Sequence, residues 1–515
     1  MRLDENWLIY TLVLLANVII AATFPITNDE SYYIAFSKHL QLSYVDAPPF
    51  VSYLNIIQLK LGLISPLSAR SLVIVLHLLS ALLLQAIVYN NAVKDKALAT
   101  KLLATFLIAY VVPIFGLFGV FILPDTGLIL ALSILLFITD NVVRLKVLSW
   151  TDSFFLGIGL GIGLLAKYHI LPLGGGILLG LWVELTLRTE FRWLNVTKLI
   201  VSVAIGLLCA LPLFIWNYEH HFASFVFQLQ HGFSSNSWQF STMLGFVLGG
   251  IVYLTPWFTY VLLKRGLFVN KHWYLLVPVC GLMIILLASS LRKHILPHWI
   301  SPAFWLLIPY AVMNSGERII SVMKMCKYNS LIWVALIGVL LTPAGLINVK
   351  ELSKIYDPDT RIFKDLLLWQ ELSTLIQQQP ILVQAIDRTF QQKQNIGCNA
   401  KQPIVATFRW YWASQLEYKN LFPGAKILNL DQNSSSFYLW RDQWSDYANC
   451  NILLIAGEKK TITPALAKIM TIQHQYNVHG LGDYRTLDLQ VTTATLKDNV
   501  TLQSAQQHLQ ANPHY

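Results

Sequence analysis

Apolar residues in this chain come in runs of about twenty, divided by short polar stretches, over most of the first 348 positions. At a helical rise of about 1.5 Å per residue, such runs match a hydrocarbon core of roughly 30 Å. The pattern predicts about eleven membrane-spanning helices, with room for about thirteen. They fall near residues 7–23, 67–89, 98–116, 122–139, 153–168, 170–187, 198–216, 242–263, 273–290, 297–313 and 330–348. The fifth and sixth are short and separated only by Lys167, Tyr168 and His169. The first reads as a retained signal anchor, although Ala21-Ala22 also suits a cleavage site.

From about residue 349 the pattern changes. Asp, Asn, Gln and Lys return, and the apolar runs shorten to strand length, as in Ile404–Thr407 and Ile452–Ala456, with a helix-like stretch at Tyr411–Tyr418 between them. The expected organisation is a transmembrane domain over 1–348 and a small soluble α/β domain over 349–515. The first loop, 24–66, is long, and within it Ile34–Leu40 has the spacing of an interfacial helix.

Composition agrees with a polytopic membrane protein. Hydrophobic residues make up 55% of the 515 and charged residues 12%, far from the soluble average. The net charge of +10 does not point to nucleic acid, because the basic residues lie in short loops between apolar runs. With the N-terminus in the cytoplasm, inner loops hold Lys94, Lys96, Lys101, Arg144, Lys146, Arg188, Arg192, Lys264 and Arg265, while the outer connections are poor in them. That bias predicts an N-in, C-out protein of the bacterial inner membrane, with the C-terminal domain periplasmic. The five cysteines include no CxxC pair; Cys398 and Cys450 can form a disulfide if their domain faces an oxidising compartment.

On this topology the polar clusters share the outer face. The first loop reads Asn28-Asp29-Glu30-Ser31-Tyr32-Tyr33 and then Asp46-Ala47-Pro48-Pro49. Pro124-Asp125 opens the fourth span, Lys167-Tyr168 tops the fifth, and Arg292 and Lys293 precede the tenth, which His298 opens. The loop 217–241 adds Gln228 and His231. Carboxylates at membrane depth are costly and tend to be functional, though Asp125 also fits a helix N-terminal acid favoured by the dipole. Lys167 suits either function or snorkelling to the interface. His77, in mid-span, reads as a helix–helix hydrogen-bond partner. Glycines at 157, 159, 161 and 163 lie in an apolar helix with no preceding strand, so they read as close packing and not as a dinucleotide fingerprint.

Taken in order, these clusters resemble the membrane glycosyltransferases related to protein O-mannosyltransferases and to the lipid A aminoarabinose transferases. The likeness also runs through Gly163-Leu164-Leu165-Ala166-Lys167-Tyr168, Phe227-Gln228 with His231-Gly232, His298-Trp299-Ile300-Ser301-Pro302, and the C-terminal Tyr411–Leu416 and Phe437–Trp440. The resemblance implies a GT-C fold, a polyprenyl-phosphate-linked sugar donor and inversion at the anomeric carbon. It implies that the acid matching Asp29 is the general base and that Asp125 belongs to the active cavity. One position departs: the aminoarabinose enzymes carry a lysine before the double proline, where this chain has Ala47.

The chemistry is consistent with those expectations. Glycosyl transfer to a hydroxyl needs a base, and a polyprenyl phosphate leaving group needs cations more than an acid. Lys167, Arg292 and Lys293 are candidates for the phosphate, and Glu30, Tyr33, Asp46, Tyr168, Gln228, His231 and His298 for the rest of the substrate. A divalent metal is a candidate cofactor whose need stays open, and membrane lipids and a lipid or glycan acceptor are the expected partners. The competing class is a transporter or lipid flippase of envelope precursors, against which no inverted repeat is visible.

Overall fold

The computed structural model describes residues 3–62, 65–188, 193–233, 238–269, 272–345, 369, 372, 379–391, 394–430, 444–457, 464–479, 488–498 and 500–502. The chain divides into two compact units: Met1–Thr23 with Leu40–Gly338, and Phe24–His39 with Val339–Tyr515. The long first loop is thus split, its first sixteen residues belonging with the C-terminal unit.

The first unit is helical. Its elements are α1 (Leu3–Thr23), then, after the segment holding α2 (Asn28–Lys38), α3 (Phe50–Lys60), α4 (Pro66–Ala92), α5 (Leu98–Val111), α6 (Pro113–Phe118), α7 (Pro124–Leu145), α8 (Trp150–Ala166) and α9 (Ile170–Arg188). There follow α10 (Trp193–Cys209), α11 (Leu211–Glu219), α12 (Ala223–Phe233), α13 (Phe240–Leu254), α14 (Pro256–Val261), α15 (Trp273–Ser290), α16 (Ser301–Trp305), α17 (Ile308–Met313) and α18 (Ile319–Gly345). Among the described residues five helices are long and apolar enough to cross a membrane, or seven if two bent pairs each count as one span. This is a multi-pass membrane protein.

The eleven expected runs are therefore not eleven continuous spans by that measure, and proline explains much of the difference. The run 98–116 breaks at Val112-Pro113 into α5 and α6. The run 297–313 becomes a 3-10 turn, α16 and α17, each with a proline in its first turn. Proline lacks the amide hydrogen that continues a helix but is well suited to begin one. The α13–α14 pair bends by 95° at Thr255, a left-handed residue with φ 62°.

Glycine sets how closely the helices approach. A Cβ added at Gly157 would lie 2.8 Å from the Ser202 carbonyl oxygen, and one at Gly161 would lie 2.4 Å from the Cys209 Cβ, so α8 and α10 meet almost backbone to backbone. The glycine run is a packing stripe, as the sequence suggested.

The second unit carries a five-stranded sheet of β1 (Ile404–Thr407), β2 (Lys426–Asn429), β3 (Asn451–Gly457), β4 (Met470–His479) and β5 (Asp488–Leu496), in the order β2-β1-β3-β5-β4. β1 runs parallel to β2 and β3, whereas β5 is antiparallel to both β3 and β4. Helices α19 (Pro380–Gln391) and α20 (Trp410–Lys419) accompany it. The expected α/β character of the C-terminal region is what is observed. Cys398 and Cys450 are joined by a disulfide with Cα atoms 4.8 Å apart. Phe437–Trp440 lies outside the described residues.

Helix α2 differs from its sequence reading. It starts at Asn28, ahead of the expected Ile34–Leu40, and buries Tyr32, Ile34, Ala35 and Phe36. Its packing partner in this unit is α20, so its apolar residues are covered by protein.

Candidate active site

In the helical unit the site begins where α7 begins. Leu123 is extended, Pro124 fixes the first helical φ, and Asp125 sits in the first turn, where the helix dipole favours its charge. The Thr126 hydroxyl donates to the Phe118 carbonyl at 3.0 Å and anchors that turn. Helix α8 ends at Ala166, after which Lys167 is extended, with φ −160° and ψ 138°. Gly127 lets the two ends meet, since a Cβ there would fall 2.8 Å from that of Ala166.

This approach pairs Asp125 with Lys167. The ammonium donates to both carboxylate oxygens at 2.9 Å. The aspartate is 4% exposed as a residue and the lysine side chain 16%, so the pair is largely withdrawn from solvent but can be reached from the lysine side. The Trp299 ring centroid lies 5.9 Å from the Lys167 Nζ, and His169 meets the same ring edge-on at 5.4 Å. In the turn between α8 and α9, burial and the neighbouring ammonium push the His169 imidazole down to about 3, so it is neutral at physiological pH. His298 is electrostatically coupled to Asp125 and rests on Tyr253 at 5.9 Å.

Helix α12 ties two further expected residues to this region. The Tyr168 hydroxyl is 2.6 Å from that of Ser224, and the Gln228 amide donates to the Asp46 carbonyl oxygen at 3.1 Å. It is the Asp46 backbone that this bond uses. Arg292 is exposed and lies over Trp238 at 5.5 Å, while Lys293 is half-buried. The side chain of His231 lies outside the described residues.

In the C-terminal unit, Asp29 and Glu30 occupy successive positions in the first turn of α2 and have opposite surroundings. Asp29 is exposed. Glu30 is fully buried and closes a capping box, accepting from the Thr27 amide at 3.0 Å while its own amide donates to the Thr27 hydroxyl at 3.3 Å. Tyr33 is half-buried against Phe36.

Other histidines are structural in their contacts. His77 lies 3.0 Å from the Ala109 carbonyl oxygen, between Tyr110 and Trp305, the helix–helix role its position suggested. His220 stacks flat on Trp216 at 4.1 Å. Among the described residues no group of three or more His, Cys, Asp or Glu is placed to hold a metal ion. Ser224 went unnoticed in the sequence, where a serine in a polar loop carries no signal.

The helical membrane unit and the C-terminal α/β unit, with an acid and a base paired at the ends of neighbouring helices of the former, together have the fold of a class of solved membrane proteins. Two solved structures similar to the chain are of ArnT from Cupriavidus metallidurans. One, bound to undecaprenyl phosphate, has a TM-score of 0.60 and 14% identity, over 96% of this chain and 98% of that one. The other, in the apo state, has a TM-score of 0.57 and 13% identity, over 98% of both. No protein-family model and no curated protein matches the chain. At such low identity the likeness is one of fold.

Proposed function

We propose that this chain is an inverting glycosyltransferase that moves a sugar from a polyprenyl-phosphate donor to a hydroxyl of an envelope acceptor, at the outer face of the inner membrane. The observation that carries the reading is the buried Asp125–Lys167 pair, roofed by Trp299, in a GT-C fold. One similar structure holds undecaprenyl phosphate, which is what this donor leaves behind once its sugar has gone. Lipid A, another envelope glycan and a protein are the candidate acceptors.

In the reaction the acceptor oxygen forms a bond to the anomeric carbon from the face opposite the phosphate. The C–O bond to the phosphate breaks, and the polyprenyl phosphate departs with the electron pair. Lys167 stabilises that departing charge, in a chain that has Ala47 where the aminoarabinose enzymes carry a lysine before the double proline. An aspartate whose two oxygens both accept from an ammonium is better suited to holding that ammonium than to taking a proton. Asp125 therefore holds Lys167, and Asp29, the exposed acid of α2, takes the acceptor proton. The disulfide in the C-terminal unit supports an oxidising compartment for that unit, in line with the N-in, C-out charge bias.

Purified chain given a labelled polyprenyl-phosphate sugar and a lipid A or glycan acceptor should release polyprenyl phosphate, with the label on the acceptor. Mass spectrometry of lipopolysaccharide and envelope glycans, with and without the chain, identifies the product. Unchanged envelope glycans together with movement of intact donor across vesicles would replace this reading with lipid flipping.

A further inference from the structure

The residue assigned as base stands on a short helix that packs on a helix of its own unit far away in sequence. Helix α2 is gripped by α20 at both ends. At its start the Gln415 amide donates to the Ile26 carbonyl oxygen at 3.0 Å and to the Asn28 side-chain oxygen at 3.4 Å. The Trp369 indole donates to that same Asn28 oxygen at 2.8 Å. One turn on, the Ser31 and Ser414 hydroxyls are 2.9 Å apart, and both residues are fully buried. At its end the Lys38 ammonium donates to the Glu417 carbonyl oxygen at 2.9 Å, and His39 meets the Glu417 carboxylate at 2.8 Å.

These bonds surround Asp29 without using its position. Ser31 and Lys38, seven residues apart, share one face of α2, and Asp29 falls about 200° around the helix from Ser31. The grip thus fixes the axis, register and rotation of α2 and leaves Asp29 exposed. Polar side chains buried on both sides of the contact would be costly if they served no pairing.

We infer that Gln415, Ser414 and Glu417 are positioning residues for Asp29: through α20 the C-terminal unit fixes where the base stands. This rests on the reading of Asp29 as the base. Misplacing a reacting group by about 1 Å costs on the order of a hundredfold in rate. Gln415→Leu should therefore lower kcat by about ten- to a hundredfold, with the donor KM changed less than about twofold, because the donor phosphate is assigned to Lys167 in the other unit.

A cysteine pair separates this from general damage to the fold. With the two hydroxyls 2.9 Å apart, S31C/S414C should form a disulfide on oxidation, mapped by mass spectrometry. The oxidised pair should keep at least half of the wild-type activity, and in the Gln415→Leu background oxidation should restore most of the lost kcat, with reduction removing it again. Full activity of Gln415→Leu, or inactivation by the cross-link, would overturn the inference. An active Asp29→Asn would instead discard the base assignment beneath it, so the two failures are distinguishable.

Discussion

Helix α7 carries two buried aspartates, Asp125 and Asp140, fifteen residues apart and so about 22 Å along the axis. Their hydrogen-bond partners differ in charge. Asp125 faces an ammonium, with His169, His298 and Trp299 around it. Asp140 accepts from the Tyr310 hydroxyl at 2.8 Å and from the Asn91 amide at 2.7 Å, and Tyr310 is in turn 3.1 Å from the Tyr274 hydroxyl. The hydrogen-bond partners at Asp140 are neutral and come from α4 and α17, with α15 linked behind them. On the proposed function, the difference sorts the two ends of the helix. Neutral donors satisfy a carboxylate and tie helices together, but an ammonium can also answer the charge of an arriving phosphate.

The largest test of this contrast is Lys167→Ala. It should lower transfer by about a hundred- to a thousandfold in a labelled-donor assay and weaken donor binding. It should also lower thermal stability in detergent, since breaking a buried pair costs about 3–5 kcal/mol. Next, Asp125→Asn should reduce turnover by about ten- to a hundredfold, whereas Asp140→Asn should leave it within about twofold and act on stability. Equal losses of turnover from the two would erase the distinction. Tyr310→Phe should cost about 1 kcal/mol, read as a lowered melting temperature at unchanged kcat.

The smallest effect is one of pH. The His169 imidazole is held neutral down to about 3, against 6.5 unperturbed. As pH falls below 6.5 the unfolded chain gains a proton on this ring and the folded chain does not. The stability lost between pH 6.5 and 3 should therefore be smaller in His169→Phe, with the two proteins running parallel above pH 7. Identical acid profiles would show that the ring titrates freely in the folded protein.

Much of this was legible in the sequence, and the gaps have physical causes. Asp125 stood out because a carboxylate at membrane depth is costly, and Lys167 because it falls on the cation-poor outer face, but their pairing depends on Gly127 allowing a close approach that no spacing rule reports. Hydropathy marked where apolar chain lies but not where prolines interrupt it, so the helix count came out higher than the number of long spans. The T-x-x-E signature at Thr27–Glu30 was passed over when the helix was placed at Ile34–Leu40, and the capping box it marks is what withdraws Glu30 from solvent beside the exposed Asp29. The grip of α20 on α2 was not readable, since nothing local marks a hydrogen bond between residues 383 positions apart.

That same separation has a consequence in time. Ser31 is made early and Ser414 late; at about 5–20 residues per second, roughly 20–80 s of synthesis pass between them. Through that interval α2 has emerged while the surface that holds it does not yet exist. The helix bearing the assigned base therefore reaches its final setting only when the last part of the chain has folded, so that a truncated product would be left inserted in the membrane but inactive.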